Sequence, residues 1–195
     1  MTLTRAVEQQ GSRSALRATR WRVRRALALS FVAAALISIL AGASMAAAGT
    51  RALRAGISAF NRQAYARAAV IFVRLADEGD ARAETYLGFM YAHGRGVPQN
   101  YELAAQFYRA AAEQGIAVAQ YMLGLMYDKG QGVPQDYVLA YTWINLAVAN
   151  ARPRDREYWT RIRDAIGGKL SLAQLTLAQR LSVEWQPLAI PPPPP

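Results

Sequence analysis

Few residues in this chain are of a type that performs chemistry. The 195 residues include one histidine, His93, and no cysteine. A Ser/His/Asp or Cys/His nucleophile would need that histidine as its base, and no acidic residue is spaced obviously to orient it. Without cysteine there are no disulfides or thiolate metal sites, so a metal site would need carboxylates alone. The sequence therefore predicts no catalytic residue, no metal and no cofactor.

Three further features are better explained by structure than by chemistry. His93 lies at the end of a predicted helix, where a partly cationic ring suits the helix dipole. The G-x-G within AHGRGVPQN follows no strand and lacks the lysine of a phosphate-binding loop. The acidic residues Asp77, Glu78 and Asp80 cluster at a predicted hairpin end, as in a solvated turn.

The elements that would position any site are written twice along the chain. The segment that begins at Tyr86 reads YLGFMYAHGRGVPQNYELA, and the one that begins at Met122 reads MLGLMYDKGQGVPQDYVLA. Aligning residues 80–115 with 116–151 gives 15 identities in 36 pairs. A repeat of this length predicts stacked supersecondary units.

Each copy predicts a helical hairpin. Apolar residues at three- and four-residue spacing indicate a first helix around Leu87 and around Leu123. The G-x-G-V-P that follows ends that helix, because glycine permits positive φ and proline lacks a backbone donor. Asn100 and Asp136 then cap a second helix. The predicted apolar face of that helix comprises Tyr101, Leu103, Ala104, Phe107 and Ala111 in one copy and Tyr137, Leu139, Ala140, Trp143 and Ala147 in the other.

The pattern A-x-x-x-L-G-x-x-Y-x-x-G-x-G-V-P, followed by D/N-Y, an alanine and an aromatic residue, resembles the Sel1-like repeat, a relative of the tetratricopeptide repeat. The copies span 81–115 and 116–151, and a weaker half copy lies upstream, so that the repeat region covers 51–151. The resemblance implies an all-α fold, a short right-handed α-solenoid of Sel1/TPR-like helical hairpins, and a role in holding other proteins. It implies no chemistry.

The sequence after residue 151 predicts a C-terminal helical cap over 152–186, since a solenoid needs its end face covered. A helix over 153–166 would place Tyr158, Trp159, Ile162 and Ile166 on one face. Ser171 and Gln174 form a capping box that opens a final helix. Its predicted stripe comprises Leu172, Leu175, Ala178, Leu181 and Trp185, and we expect Trp159 and Trp185 to pack on the last repeat. The proline-rich residues 187–195 predict a disordered tail.

The N-terminal region predicts export. Residues 1–25 are a basic lead typical of a cytosolic flank, and residues 26–48 carry no charge. The second segment suits either a signal peptide cleaved after small residues or a transmembrane anchor with its N-terminus in the cytosol. We therefore expect a periplasmic protein, soluble after cleavage or anchored to the inner membrane through residues 26–48.

The charge distribution argues against nucleic acid as a partner. The chain has a net charge of +10, but residues 1–50 carry seven arginines against Glu8, so +6 of the excess lies there and +4 in the remainder. A nucleic-acid binder would be expected to concentrate basic residues on its folded domain. We expect another protein or peptide as the partner, and no small-molecule substrate.

The predicted binding surface is the inner side of the solenoid. On each first helix, positions two residues from the core leucine and tyrosine point roughly 200° away, toward the inner curve. Three apolar residues at these positions, Phe89, Tyr121 and Leu125, could instead pack on the neighbouring repeat or on the cap. The predicted groove residues are Arg82, Thr85, Phe89, Val118, Tyr121, Leu125 and Asp128.

The leading hypothesis from the sequence is an exported, non-catalytic adaptor that binds another protein through this groove. Two alternatives stay open. One is a cell-envelope hydrolase of the amidase or lactamase-like kind, for which His93 would be the base. The other is a purely architectural, membrane-tethered spacer.

Overall fold

A computed structural model describes residues 48–185 of the chain. The predicted lead (1–25), nearly all of the predicted signal peptide or anchor (26–48) and the proline-rich tail (187–195) lie outside the described residues. Within 48–185 helices are the only regular secondary structure, which confirms the predicted all-α fold class. None of these helices is long and apolar enough to cross a membrane. The eight helices are α1 (48–61), α2 (Tyr65–Asp77), α3 (Ala81–His93), α4 (Tyr101–Glu113), α5 (Ala117–Lys129), α6 (Tyr137–Ala149), α7 (Pro153–Gly167) and α8 (Leu172–Glu184).

The two predicted hairpins, α3–α4 and α5–α6, have the same local geometry. Gly94 follows α3 with φ 63°, and Gly130 follows α5 with φ 66°, in the left-handed region where a helix C-terminus is commonly closed. The side chain of Asn100 accepts a hydrogen bond from the Leu103 backbone N–H at 2.9 Å, and Asp136 caps α6 in the same way. Both hairpin turns and both caps are confirmed.

The second glycine of each G-x-G joins one hairpin to the hairpin before it. Gly96 has φ 73°, and a β-carbon there would lie 2.5 Å from the Tyr65 carbonyl carbon at the start of α2. Gly132 has φ 68°, and its β-carbon would overlap the Tyr101 carbonyl group at the start of α4. Each loop thus lies directly against the first turn of the preceding second helix, and only glycine permits that approach.

A further helical hairpin precedes the two repeats, although only half of it resembles the repeat motif. Helices α1 and α2 are joined by the short connection 62–64, in which Gln63 adopts φ 62°. The corresponding connection between α3 and α4 spans 94–100. This difference in loop length displaces α1 from the repeat register, which explains why only its partner helix resembles the motif.

The core confirms the repeat leucines and corrects one aromatic position. Leu87 and Leu123 are both fully buried. On α4, however, the core tyrosine is Tyr108, whose ring packs against Gly88, whereas Tyr101 is 38% exposed. Tyr101 was predicted to lie on the apolar face, but its hydroxyl accepts a hydrogen bond from Gln99 at the surface (3.1 Å).

The cap packs on the last repeat through its two tryptophans, as predicted. Trp159 of α7 stacks on Tyr121 with 4.8 Å between ring centroids and an interplanar angle of 9°. Trp185, which follows α8, meets Trp143 of α6 edge-on at 5.9 Å. These two contacts fasten the cap to both helices of the last hairpin.

The predicted stripe on α8 is wrong at its first position. Leu172 is 81% exposed, because α8 approaches α6 through small residues further along. Asn145 donates a hydrogen bond to the Ser182 hydroxyl at 3.1 Å, and Ala178 is fully buried beside Thr142, whose hydroxyl lies 3.3 Å from the Ala178 carbonyl. The contact between these helices is therefore narrower and more polar than the sequence suggested.

Candidate partner-binding groove

A pocket of about 480 Å³ opens on the side of the solenoid formed by the first helices α1, α3 and α5. Most of its lining is apolar, and none of the lining residues is acidic. The pocket is lined by Leu53, Ile57 and Phe60 of α1, Arg82, Thr85, Tyr86 and Phe89 of α3, Val118 and Met122 of α5, and Tyr108, Ile116 and Arg152.

Four of the seven predicted groove residues line this pocket. They are Arg82, Thr85 and Phe89 on α3 and Val118 on α5. Thr85 uses its hydroxyl to bond the Ala81 carbonyl at 2.8 Å, one turn back on the same helix, so its methyl group is the part free to contact a ligand. The structure thus brings together all three predicted residues of α3 and the first of those predicted on α5.

The other three predicted residues lie elsewhere. Tyr121 is only 9% exposed because Trp159 covers its ring. Asp128 forms an ion pair with Lys169, in the turn before α8, at 2.5 Å. For Tyr121 the packing alternative holds, and Asp128 is also in contact with a residue of the cap. Leu125 lines a separate, smaller pocket of about 220 Å³.

Burial of Tyr121 also has an electrostatic consequence. Desolvation raises the pKa of its phenol well above the ordinary value, and the neighbouring Tyr158 adds to the increase. The hydroxyl therefore stays neutral, in keeping with a residue that holds the cap in place.

Three pocket residues on α1 were not assigned from the sequence. Leu53, Ile57 and Phe60 follow one another at four- and three-residue spacing, which is the signal of one helix face. The predicted groove residues came only from the two clear repeats, the first of which begins with α3. No residue of α1 was therefore predicted to lie in the groove. The wall supplied by α1 is what turns a shallow helix surface into a pocket.

An aromatic and cationic cluster surrounds Phe89, one of the lining residues. The Phe89 ring meets Phe60 edge-on at 5.7 Å and stacks on the ring of His93 at 4.2 Å. The Arg95 guanidinium lies 5.7 Å from the Phe89 centroid and 5.3 Å from that of Tyr65, whose hydroxyl it also bonds at 2.5 Å. Such contacts hold Phe89 in one orientation at the pocket wall.

His93 lies at the C-terminal end of α3 and contacts the backbone of the same helix. Its Nδ1 donates a hydrogen bond to the Phe89 carbonyl at 2.9 Å, one turn earlier in α3. This contact satisfies one of the carbonyl groups left free at a helix C-terminus. Across residues 48–185, no group of three histidine, aspartate or glutamate side chains is placed to hold a metal ion.

Among residues 48–185, Glu84 is the one strongly buried carboxylate, and it is not part of the pocket lining. Glu84 on α3 is 8% exposed, and Gln114 donates a hydrogen bond to it at 2.8 Å. Burial raises the pKa of this carboxyl above the ordinary range, against the effect of the Gln114 bond, and Asp80 and Glu113 add to the increase. With a single amide partner, Glu84 joins α3 to the end of α4.

Comparison with known families and structures agrees with this architecture. The Sel1 repeat family matches residues 81–116 and 117–150, within one residue of the predicted copies. It does not include α1 and α2, although these form a hairpin of the same kind. A search of curated proteins gave no match.

Two solved bacterial structures are similar to this chain. A Sel1 repeat protein from Oxalobacter formigenes shares 33% identity and a TM-score of 0.51, over 58% of this chain and 88% of that one. A protective antigen present in uropathogenic Escherichia coli strains, described as displaying an SLR fold, shares 33% identity and a TM-score of 0.65 over 70% of this chain. The match spans only 29% of the length of the Escherichia coli protein.

Proposed function

The chain belongs to the Sel1 repeat family, and on that premise we propose that it is a non-catalytic adaptor whose groove on α1, α3 and α5 binds a segment of another protein. The observation that carries the proposal is the apolar pocket between these helices. Its volume of about 480 Å³ is within the range of pockets that bury a ligand. A concave, mostly apolar pocket of this kind is the usual form of a binding site.

The pocket lies between hairpins rather than within one, which suits a binding role. Val118 of α5, Phe89 of α3 and Phe60 of α1 each come from a different hairpin and line the same pocket. Their spacing therefore depends on how the hairpins stack, and a bound segment would contact all three at once. Only part of the groove is open, so we expect a modest affinity, on the order of micromolar, for an interface at the small end of the usual range.

Export is part of the same proposal and is supported by sequence alone. The basic residues 1–25 and the uncharged residues 26–48 favour an envelope location, with the groove on the periplasmic side. The described residues begin at 48, so the support for this step comes from the residues before them. Reading the mature N-terminus by mass spectrometry separates a cleaved signal peptide from a retained anchor.

The groove is tested by placing one charge inside it and the same charge outside it. Val118 lines the pocket, and Val183 on α8 is 84% exposed and away from it. We expect Val118→Glu to lose the partners that the wild-type protein captures by crosslinking in cells, and Val183→Glu to keep them. Both variants should retain the far-ultraviolet circular dichroism of the wild type.

Two results would refute the proposal. Capture of the same partners by wild type and Val118→Glu would show that binding occurs elsewhere. Robust hydrolysis of cell-wall amide or lactam substrates by the wild type, lost in His93→Ala, would show that the protein is an enzyme.

A further inference from the structure

We infer that the groove selects an acidic segment, one in which bulky apolar residues are flanked by aspartate or glutamate. This inference rests on the proposed function and adds the chemistry of the partner. It follows from the two kinds of side chain that line the pocket: a majority of apolar groups, which we call the floor, and two exposed arginines, which we call the edge.

The floor of the pocket is suited to apolar anchor residues. Ile57, Phe60, Phe89, Val118 and Met122 contribute side chains from three helices. Burying apolar surface is favourable by roughly 25 cal/mol per Å², so most of the binding energy at such a floor comes from apolar side chains of the partner. Charged side chains of the partner would lie at the edge, because burying a charge against the apolar floor is costly.

The two arginines of the edge come from different parts of the chain. Arg82 belongs to the first turn of α3, and Arg152 immediately precedes α7. Their side chains are 58% and 63% exposed, and each has one carboxylate neighbour at 3.3 Å, Asp80 and Asp155 respectively. A guanidinium has five N–H donors, so each arginine retains donors for a second carboxylate.

The pocket lining differs in charge from the repeat region. Residues 51–151 carry nine basic and eight acidic side chains, so the repeat region as a whole is almost neutral. The pocket lining contains two arginines and no acidic residue. The aspartate partners of these arginines, Asp80 and Asp155, are not part of the lining. An acidic segment in the pocket would therefore pair with the donors that the two arginines still have free, whereas a basic segment would find no carboxylate in the lining.

The test selects peptides on the purified full-length protein. Random short peptides displayed on phage are enriched on the immobilised chain, and enriched sequences are synthesised with fluorescein and titrated by fluorescence polarisation. We expect enrichment of Asp or Glu beside Leu, Ile or Phe. Replacing those acidic residues by Asn or Gln should weaken binding by roughly 2- to 30-fold, as for two exposed ion pairs.

Two double variants localise the effect. Arg82→Gln with Arg152→Gln should bind the acidic and the neutral peptide equally, and the dependence of Kd on salt should fall. Arg67→Gln with Arg180→Gln makes the same change in net charge at exposed positions outside the pocket and should keep the preference. Circular dichroism of both variants should match the wild type.

The outcomes separate this inference from the proposed function. Enriched apolar peptides without acidic residues, or a preference unchanged in Arg82→Gln with Arg152→Gln, would overturn the inference and leave the adaptor function standing. If no peptide is enriched, both fail. Binding to anionic phosphatidylglycerol vesicles through the same arginines, without acidic peptides, would also overturn the inference, because the ligand would then be a lipid headgroup.

Discussion

Replacing Gly132 by alanine tests how the hairpins are held together. Gly132 lies in the loop between α5 and α6 with φ 68°, and an added β-carbon would overlap the carbonyl of Tyr101 and lie 2.7 Å from the backbone nitrogen of Glu102. Both neighbours are backbone atoms of α4, which cannot rotate away as a side chain would. The loop must therefore move off the preceding hairpin.

The expected cost has two parts. An L-residue in the left-handed conformation loses about 1–2 kcal/mol, and forcing extra volume into a packed contact costs about 1–3 kcal/mol more. Gly115→Ala is the matched control, because Gly115 has φ 86° and open space around its β-carbon position. We therefore expect Gly132→Ala to lower the free energy of unfolding by about 2–5 kcal/mol and Gly115→Ala by about 1–2 kcal/mol.

Urea unfolding followed by far-ultraviolet circular dichroism measures both variants, and hydrogen exchange locates the change. In Gly132→Ala the amides at the start of α4 and in the 130–136 loop should exchange faster than in the wild type. Equal midpoints for Gly132→Ala and Gly115→Ala would refute the reasoning, since only the backbone conformation would then matter.

Three further substitutions test the core, the cap and a buried carboxylate. Leu123→Ala removes a fully buried side chain and should cost about 2–5 kcal/mol in urea unfolding, while Leu172→Ala, at an exposed position, should change stability by about 0.5 kcal/mol or less. Trp159→Ala removes the ring stacked on Tyr121. The rate of amide hydrogen exchange should therefore rise far more in α7 and α8 than in α2. Equal increases in all three helices would mean that the cap and the repeats unfold as one unit. Burial raises the pKa of Glu84 in the folded state, so its contribution to stability falls as pH rises from the ordinary glutamate pKa through the raised one. Glu84→Gln keeps an acceptor for Gln114 and removes the buried charge, and it should be more stable than wild type at neutral pH and similar to it at acidic pH; a variant less stable at neutral pH would show that the charge itself is needed.

The local parts of the fold followed directly from the sequence. The turns at Gly94 and Gly130 and the caps Asn100 and Asp136 were predicted because they depend on φ angles and on hydrogen bonds to residues three positions away. The capping box at Ser171 formed for the same reason. Such interactions need no knowledge of distant parts of the chain.

Predictions that depended on distant contacts succeeded only in part. Helix α4 has apolar residues on more than one face, so spacing alone could not show that Tyr108 rather than Tyr101 enters the core. In the groove, helix geometry correctly oriented Phe89 and Val118, but it could not show that the cap covers Tyr121. The wall formed by Phe60 was missed because α1 is out of register with the repeats.

By itself, the sequence determined that this chain folds as a series of helical hairpins, since the repeated glycines, caps and apolar spacing act within a few residues of one another. Only the tertiary structure decided which part of the inner surface is open. That depends on where α1 and α7 lie against the stacked hairpins, and those positions follow from the contact of Phe60 with Phe89 and of Trp159 with Tyr121. Each contact joins residues far apart in the chain, and the open pocket lies between the two.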